Sequence, residues 1–486
     1  MNTTLIPLRP SLFALSAVLF ATTSGFVAES AAQSVRWTPQ RADVDVQTGD
    51  GVLPEINTTP MVRDRIDPKN YTFAGPELVF TSQGPSHGTF TLANASIVYR
   101  SAIVHNRQPI FEGTGKVVIA TESPTNALQF RFRLRDNVTL VFDQTSVGPI
   151  FDSSNSNACS FLSFEQASAL VLERDVDLTA GGNSFLSVGH VMISTVSETS
   201  IPAKASKIRI SGPYEIKVNK LQFNGLANQT LVLDGSTVVV TGQADSTPFG
   251  LISAGGGGIY GLANVNSLAR KFTLSATSQG GTVRIAPGAT SSFNLDAKNN
   301  NNHGAELIIG DPTGQKLTLL LNGTWKNHNY SNDLSQSCLT VLKGAVLGGT
   351  GMIDFASPNG SKRTATVSGS IAPGDPHLED GIGTLSVMAT GLTWNSGAEW
   401  VFQLKSPTAH DRLAITGDFN RGTGAPRSFT VDFANSTPTP GQYKLITWTG
   451  KTTFKTEDFT TLNLPSTLAV RLSVEKDHLL ATVRNQ

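Results

Sequence analysis

The sequence predicts an all-β chain wound as a right-handed parallel β-helix with a β-rich C-terminal cap. Three observations carry that prediction. From about Leu78 onward, runs that alternate apolar and polar residues recur roughly every ten residues, the period-two signature of strands. Each run closes on Gly, Asn, Asp or Pro, and 45 of the 486 residues are glycine, so turns are frequent and free to vary in length. Charged residues make up only 15% of the chain, against about 25% in an average globular protein. Stacked coils with inward apolar strands and small polar turns leave few positions for charge.

The elements follow in chain order. Arg9 is the lone charge of the first ten residues, the apolar stretch Ser11 to Phe20 follows, and Ser30, Ala31 and Ala32 supply small residues. That order reads as a signal peptide over residues 1–32, with cleavage near Ala32. No later window is apolar enough to span a bilayer, so no transmembrane anchor is expected after cleavage. Residues 33–74 read as an extended or capping segment, 75–393 as the β-helix, and 394–486 as the cap. Strand runs include GTFTLANA from Gly88, GKVVIATE from Gly115, NVTLVF from Asn137, KIRISG from Lys207, STVVVTG from Ser236, GTVRIAPG from Gly281 and KLTLLLNG from Lys316. Helical patterns are scarce; Ser163 to Leu172 is the best short one.

Irregular turns and the lack of a blade or heptad signature favour a solenoid over a propeller or barrel, because each coil needs only inward apolar residues in register with its neighbours. The segment from about Lys316 to Gln486 resembles the autotransporter-associated β-strand repeat proteins. The likeness rests on LGGTGMIDF from Leu347, TATVSGSIAPGDP from Thr364 leading into GIGTLSV at Gly381, LTWNSGAEWVFQL from Leu392, DRLAITGDF from Asp411, GQYKLITWTG from Gly441 and LAVRLSVEKDHLLATV from Leu468. The resemblance implies a parallel β-helix of the passenger type on a bacterial surface, ending in a closing hairpin. Two features of that family are missing: the closing series of amphipathic membrane-barrel strands, and the alternative Pro-Glu-Pro, apolar helix and basic tail. Release outside the cell is therefore expected alongside surface attachment, with the periplasm as the other destination.

Composition narrows the function classes. Lys and Arg total 37, as do Asp and Glu, which argues against general nucleic-acid or polybasic membrane binding. The set of N-T-D, D-D, G-H-G and R-I-K motifs that would mark a polygalacturonase-like glycosidase is represented only by KIRI at Lys207 to Ile210 and by Gly189 with His190, without an adjacent Asp pair. A calcium-dependent lyase would cluster carboxylates. The densest group, Glu173, Asp175 and Asp177, reads as a solvated strand face. The eight histidines are isolated and show no zinc spacing, so no metal, cofactor or catalytic residue is assigned. Cys159 and Cys338 suit an exported chain with few disulfides; whether they pair depends on Cα atoms lying within about 7 Å.

One cluster stands out. In QFRFRLRD, Arg131, Arg133 and Arg135 share one strand face while Phe130, Phe132 and Leu134 share the other. Three guanidinium groups spaced about 7 Å apart would suit an anionic polysaccharide or a cell-envelope component. The competing reading pairs them with acidic residues on neighbouring coils, such as Glu173 or Asp175. Together these features lead to the expectation of an exported structural or adhesive protein that binds polysaccharide. The rival expectation is a polysaccharide lyase or hydrolase whose site is dispersed across coils.

Overall fold

The structure is a computed structural model that describes residues 35–37, 70–73, 77–80, 88–99, 109–120, 131–143, 160–179, 184–189, 205–223, 228–241, 270–287, 290–292, 305–326, 337–355, 363–434 and 436–486. The segment 1–32 expected as a signal peptide lies outside them, as do His190 and Cys159. Ser34–Gln486 forms one unit, built of strands, with no α-helix among the described residues. No helix there is long and apolar enough to cross a membrane.

Nearly every strand pairs in parallel with a strand one coil away, and three ladders run along the chain. On the first face, Ser206–Ser211 pairs with Gln229–Asp234, which pairs with Arg270–Ala276, then Ala305–Ile309, Ser337–Val341, Thr364–Val367 and the end of Thr384–Trp394. The second face stacks Glu215–Val218, Thr237–Val240, Gly281–Ile285, Leu317–Leu321, Ala345–Gly349 and Ser370–Pro373. On the third, Thr290–Ser292, Thr324–Lys326, Met352–Asp354 and the start of Thr384–Trp394 follow one another, and that last strand pairs onward with Arg412–Arg421. Each coil visits the faces in that order, so the chain is a parallel β-helix of three strands per coil.

Register explains why these residues form these strands. On the first face Ile208, Leu231, Leu274, Ile309, Val341, Val367 and Trp394 lie directly over one another, and all are buried. On the second, Ile216, Val238, Val283, Leu319, Leu347 and Ile371 do the same. A slip of one residue would turn every one of these side chains outward, so burial fixes the pairing. Corners need backbone that only glycine supplies easily. At Gly349, φ is +107° and an added Cβ would sit 2.1 Å from the Leu321 carbonyl oxygen.

One expectation is corrected here. Ser163 to Leu172 is not helical: Ser160–Phe164 and Ala169–Leu172 are strands. Between them Gln166 turns the chain at φ +61°. Leu162, Phe164, Leu170 and Leu172 all face the core, an alternation of two that outweighs helical spacing. Parallel coils also continue past residue 393: Glu399–Val401, Phe429–Asp432 and Phe459–Leu462 form a further parallel ladder. Antiparallel pairing joins Leu404–Ser406 to Ala409–His410 and closes the chain through Gly441–Trp448, His478–Asn485 and Leu468–Val474.

The last coils pack around aromatic rings. Trp394 stacks on Trp400 with centroids 3.8 Å apart, and Phe429 meets Trp394 edge-on at 5.3 Å. Because coils in a solenoid depend on nearest neighbours, damage here should stay local. Trp394→Ala is expected to cost about 3–5 kcal/mol. Hydrogen exchange should lose protection across residues 384–486 while residues 206–241 keep theirs; uniform loss would contradict the stacking account.

Candidate functional site

The arginine cluster lies on the strand Arg131–Leu134 and the residue after it. Phe132 and Leu134 point inward and are fully buried, as the alternation requires. The opposite row is not the open cationic stripe that the sequence suggests. Arg133 is only 8% exposed, and its Nε and Nη2 donate to Glu165 Oε1 at 3.3 and 3.2 Å. Arg135 Nε donates to the other oxygen of Glu165 at 3.1 Å, and its Nη1 lies 4.0 Å from Glu112. One carboxylate thus joins two guanidinium groups, and neighbouring coils supply both acids. Pairing across coils is therefore the arrangement found, with Glu165 and Glu112 in place of the expected Glu173 or Asp175. The side chain of Arg131 lies outside the described residues.

The other sequence candidates are scattered over turns and strands. Glu173, Asp175 and Asp177 are exposed. Asp175 accepts the Glu215 N–H at 2.8 Å and Asp177 the Thr179 N–H at 2.9 Å. In KIRI, Arg209 pairs with Asp234 on the next coil. Cys338 is buried, and Cys159, its candidate disulfide partner, lies outside the described residues. Cys338 is the extra residue where pairing shifts between Ser337 and Leu339. Burial pushes its thiol up to about 11. No group of three or more His, Cys, Asp or Glu side chains able to hold a metal occurs among the described residues.

What the coils do assemble outside is hydroxyl-bearing. On the first face the outward positions in direct register are Lys207, Thr230, Thr273, Ile308, Thr340, Thr366 and Thr393, and the Thr340 hydroxyl donates to Glu306. On the second they are Glu215, Thr237, Thr282, Thr318, Val346 and Ser370. All but the exposed Lys207 are half-buried. Beyond Lys207 and Glu215, each row places a small β-branched or hydroxylic side chain at intervals of about 4.8 Å along the axis. The sequence shows these threonines singly; only coil register aligns them.

Carboxylates that sequence reasoning passed over sit at the corners. Asp411 is 2% exposed; its two oxygens accept the Gly383 and Gln403 N–H groups at 2.9 and 2.8 Å. Burial pushes its carboxyl up to about 7, against the pull of those two N–H groups. Asp375 is fully buried. Its Oδ1 accepts the His377 N–H at 2.8 Å, Asn322 donates to Oδ2, and Arg284 Nε lies 3.8 Å from that oxygen. Asn322 Oδ1 in turn accepts the Thr350 N–H at 3.1 Å. The visible signal was Asp after a corner glycine, as at Gly374. Burial also holds the His410 imidazole below its ordinary value; its Nε2 lies 3.2 Å from the Lys444 carbonyl oxygen.

Compared with known proteins, the chain matches no family model, and no curated protein matches it.

Two outcomes follow from these geometries. Glu165→Gln leaves Arg133 and Arg135 without their shared charge and is expected to destabilise the chain by about 3 kcal/mol, read from urea unfolding. Arg135→Ser, at a half-exposed position, should cost about 1 kcal/mol or less. For Asp411 the folded chain keeps a proton that the unfolded chain loses above its ordinary value of 3.8. Stability from this group is thus full in acid and is lost as pH rises through about 7. The urea midpoint should fall between about pH 5 and about pH 8, and Asp411→Asn should flatten that fall.

Proposed function

We propose that this chain is an exported structural or adhesive β-helix of the autotransporter-associated repeat type, which acts outside the bacterial cell and lays its hydroxyl rows against a polysaccharide. The observation that carries the reading is the alignment of Thr340, Thr366 and Thr393 on successive coils. A parallel ladder repeats one chemical group at a constant interval, and a polysaccharide repeats its hydroxyls along its own length, so the two can meet over many weak contacts. Threonine suits such contacts for three reasons. Its hydroxyl both donates and accepts, its methyl packs against the apolar face of a sugar ring, and its stiff χ1 limits the entropy lost on binding.

The same structure shifts the expected partner toward uncharged polymer. Arg133 and Arg135 face two carboxylates, Glu165 and Glu112, so these cations of an anionic-polymer site already have acidic partners. Hydroxyl rows need no countercharge. Location outside the cell is supported by the charge, apolar core and small-residue order of residues 1–32.

The test is retention of the purified protein on a panel of insoluble neutral and anionic polysaccharides. Binding to a neutral member that persists at high salt is expected. Replacing Thr340, Thr366 and Thr393 together with valine, which keeps shape and strand preference, should weaken retention about tenfold or more, roughly 1.4 kcal/mol. Unchanged retention would remove the threonine row as the contact. Release of reducing or unsaturated sugars from any member would replace this reading with the lyase or hydrolase alternative.

A further inference from the structure

The corner after Ser370–Pro373 holds the sequence Gly374-Asp375-Pro376-His377. Its geometry surrounds a single peptide bond. The Asp375 side chain is fully buried, whereas Pro376 and His377 on the far side of the bond are exposed. Both carboxyl oxygens are held, Oδ1 by the His377 N–H at 2.8 Å and Oδ2 by Asn322. The carbonyl oxygen of the Asp375–Pro376 bond itself accepts the Leu378 N–H at 2.9 Å. The carboxyl group is therefore fixed beside the carbonyl of its own residue, and that carbonyl is already polarised by a donor.

We propose that the Asp375–Pro376 bond is a self-cleavage site, opened by the carboxyl group of Asp375. In the first step a carboxyl oxygen attacks the main-chain carbonyl carbon of the same residue, forming a C–O bond and closing a five-membered anhydride. The C–N bond to Pro376 breaks and its electron pair stays on nitrogen, which takes the proton that the carboxyl group carried. The products are an anhydride on Asp375 and a secondary amine at Pro376. In the second step one water adds across the anhydride, leaving Asp375 with two carboxyl groups as a new C-terminus. No other co-reactant is needed.

Each feature has a defined part. Proline makes the bond a tertiary amide whose nitrogen has no N–H to lose and departs as a secondary amine. The Leu378 N–H faces the oxygen on which negative charge develops, which is the role of an oxyanion donor. Restraint by His377 N–H and Asn322 lowers the entropy cost of the attack. The carboxyl group attacks with its proton in place, so acid favours the reaction. The charged and titratable groups around it are Arg284 at 3.8 Å, the Asp411 carboxyl beside Gly374, and the exposed His377.

The chain contains its own comparison. Gly310-Asp311-Pro312 repeats the motif at another corner, with the Thr313 N–H on Asp311 Oδ1 at 2.8 Å and the Gly314 N–H on its carbonyl at 3.1 Å. There the carboxyl is only half-buried. Although burial pushes that carboxyl up, hydrogen bonds from Thr313 and Ser275 outweigh burial and hold it below its ordinary value. Its half-exposed carboxyl is less restrained than the fully buried Asp375 side chain, so Asp311–Pro312 should open more slowly than Asp375–Pro376.

The experiment incubates the full folded chain at about pH 5 and about pH 8 and follows new termini by mass spectrometry. The expected result is a Pro376 N-terminus that accumulates at the lower pH, at least about tenfold faster than any Pro312 terminus. Added hydroxylamine should be captured as a hydroxamate on Asp375, the signature of the anhydride. Asp375→Asn should abolish cleavage. Pro376→Ala, which leaves the carboxyl group and its partners in place, should slow it about tenfold or more. No Pro376 terminus in the folded chain overturns the proposal. So does cleavage at equal rates at Pro312, or in chain unfolded by urea, since either would mean ordinary acid lability of Asp–Pro bonds.

Discussion

Everything in this molecule depends on one constraint: an inward residue of each coil must lie on the inward residue of the coil before it. Parallel ladders supply the backbone hydrogen bonds, but those bonds would form equally well one residue out of step. Burial of the Ile208 to Trp394 column and of the Ile216 to Ile371 column makes the step unique. Outward residues inherit that register without contributing to it. This is how Thr340, Thr366 and Thr393 come into line, and how Glu165 meets Arg133 and Arg135.

The constraint says nothing about how much chain separates two coils. Leu231 pairs with Leu274, whereas Val341 pairs with Val367, so the interval between partners changes along the chain. This variation separates what is legible in the sequence from what is hidden there. Alternation and glycine corners are local, and they were enough to expect a parallel β-helix, while the closing LAVRLSVEKDHLLATV hairpin came from the family resemblance. Partners are not local. Glu165 lies beyond an intervening strand from Arg133, and nothing in the residues between them specifies that their strands would be adjacent. The acids expected on neighbouring coils, Glu173 and Asp175, instead accept backbone N–H groups or face water. Helical spacing over Ser163 to Leu172 misled for a related reason: two short strands and a turn at Gln166 can imitate one turn of amphipathic helix.

Corners set a second demand. Where a strand leaves one face for the next, its N–H groups lose their ladder acceptors, and an unsatisfied N–H in a dry interior is costly. The chain answers with buried carboxylates. Asp411 takes the Gly383 and Gln403 N–H groups, and Asp375 takes that of His377. Asp432 accepts from Ala434 and Asn463, while Asp458 accepts from Lys455 and from Arg421. These acids read in sequence as ordinary turn residues. Only their burial shows that they replace missing ladder bonds.

The scarcity of charge therefore has two sources with different consequences. Inward positions exclude charge because they are dry, and corner positions admit it chiefly as acceptors for stranded N–H groups. The outward rows of the first and second faces are mostly threonine, set in parallel ladders. Threonine fills such a site at least cost, being β-branched for the strand and hydroxylic for water. A row that arises for reasons of folding is thus already a periodic hydrogen-bonding surface. On the proposed reading, its fit to a repeating uncharged polymer depends on coils stacking in register, and the buried columns ensure that they do.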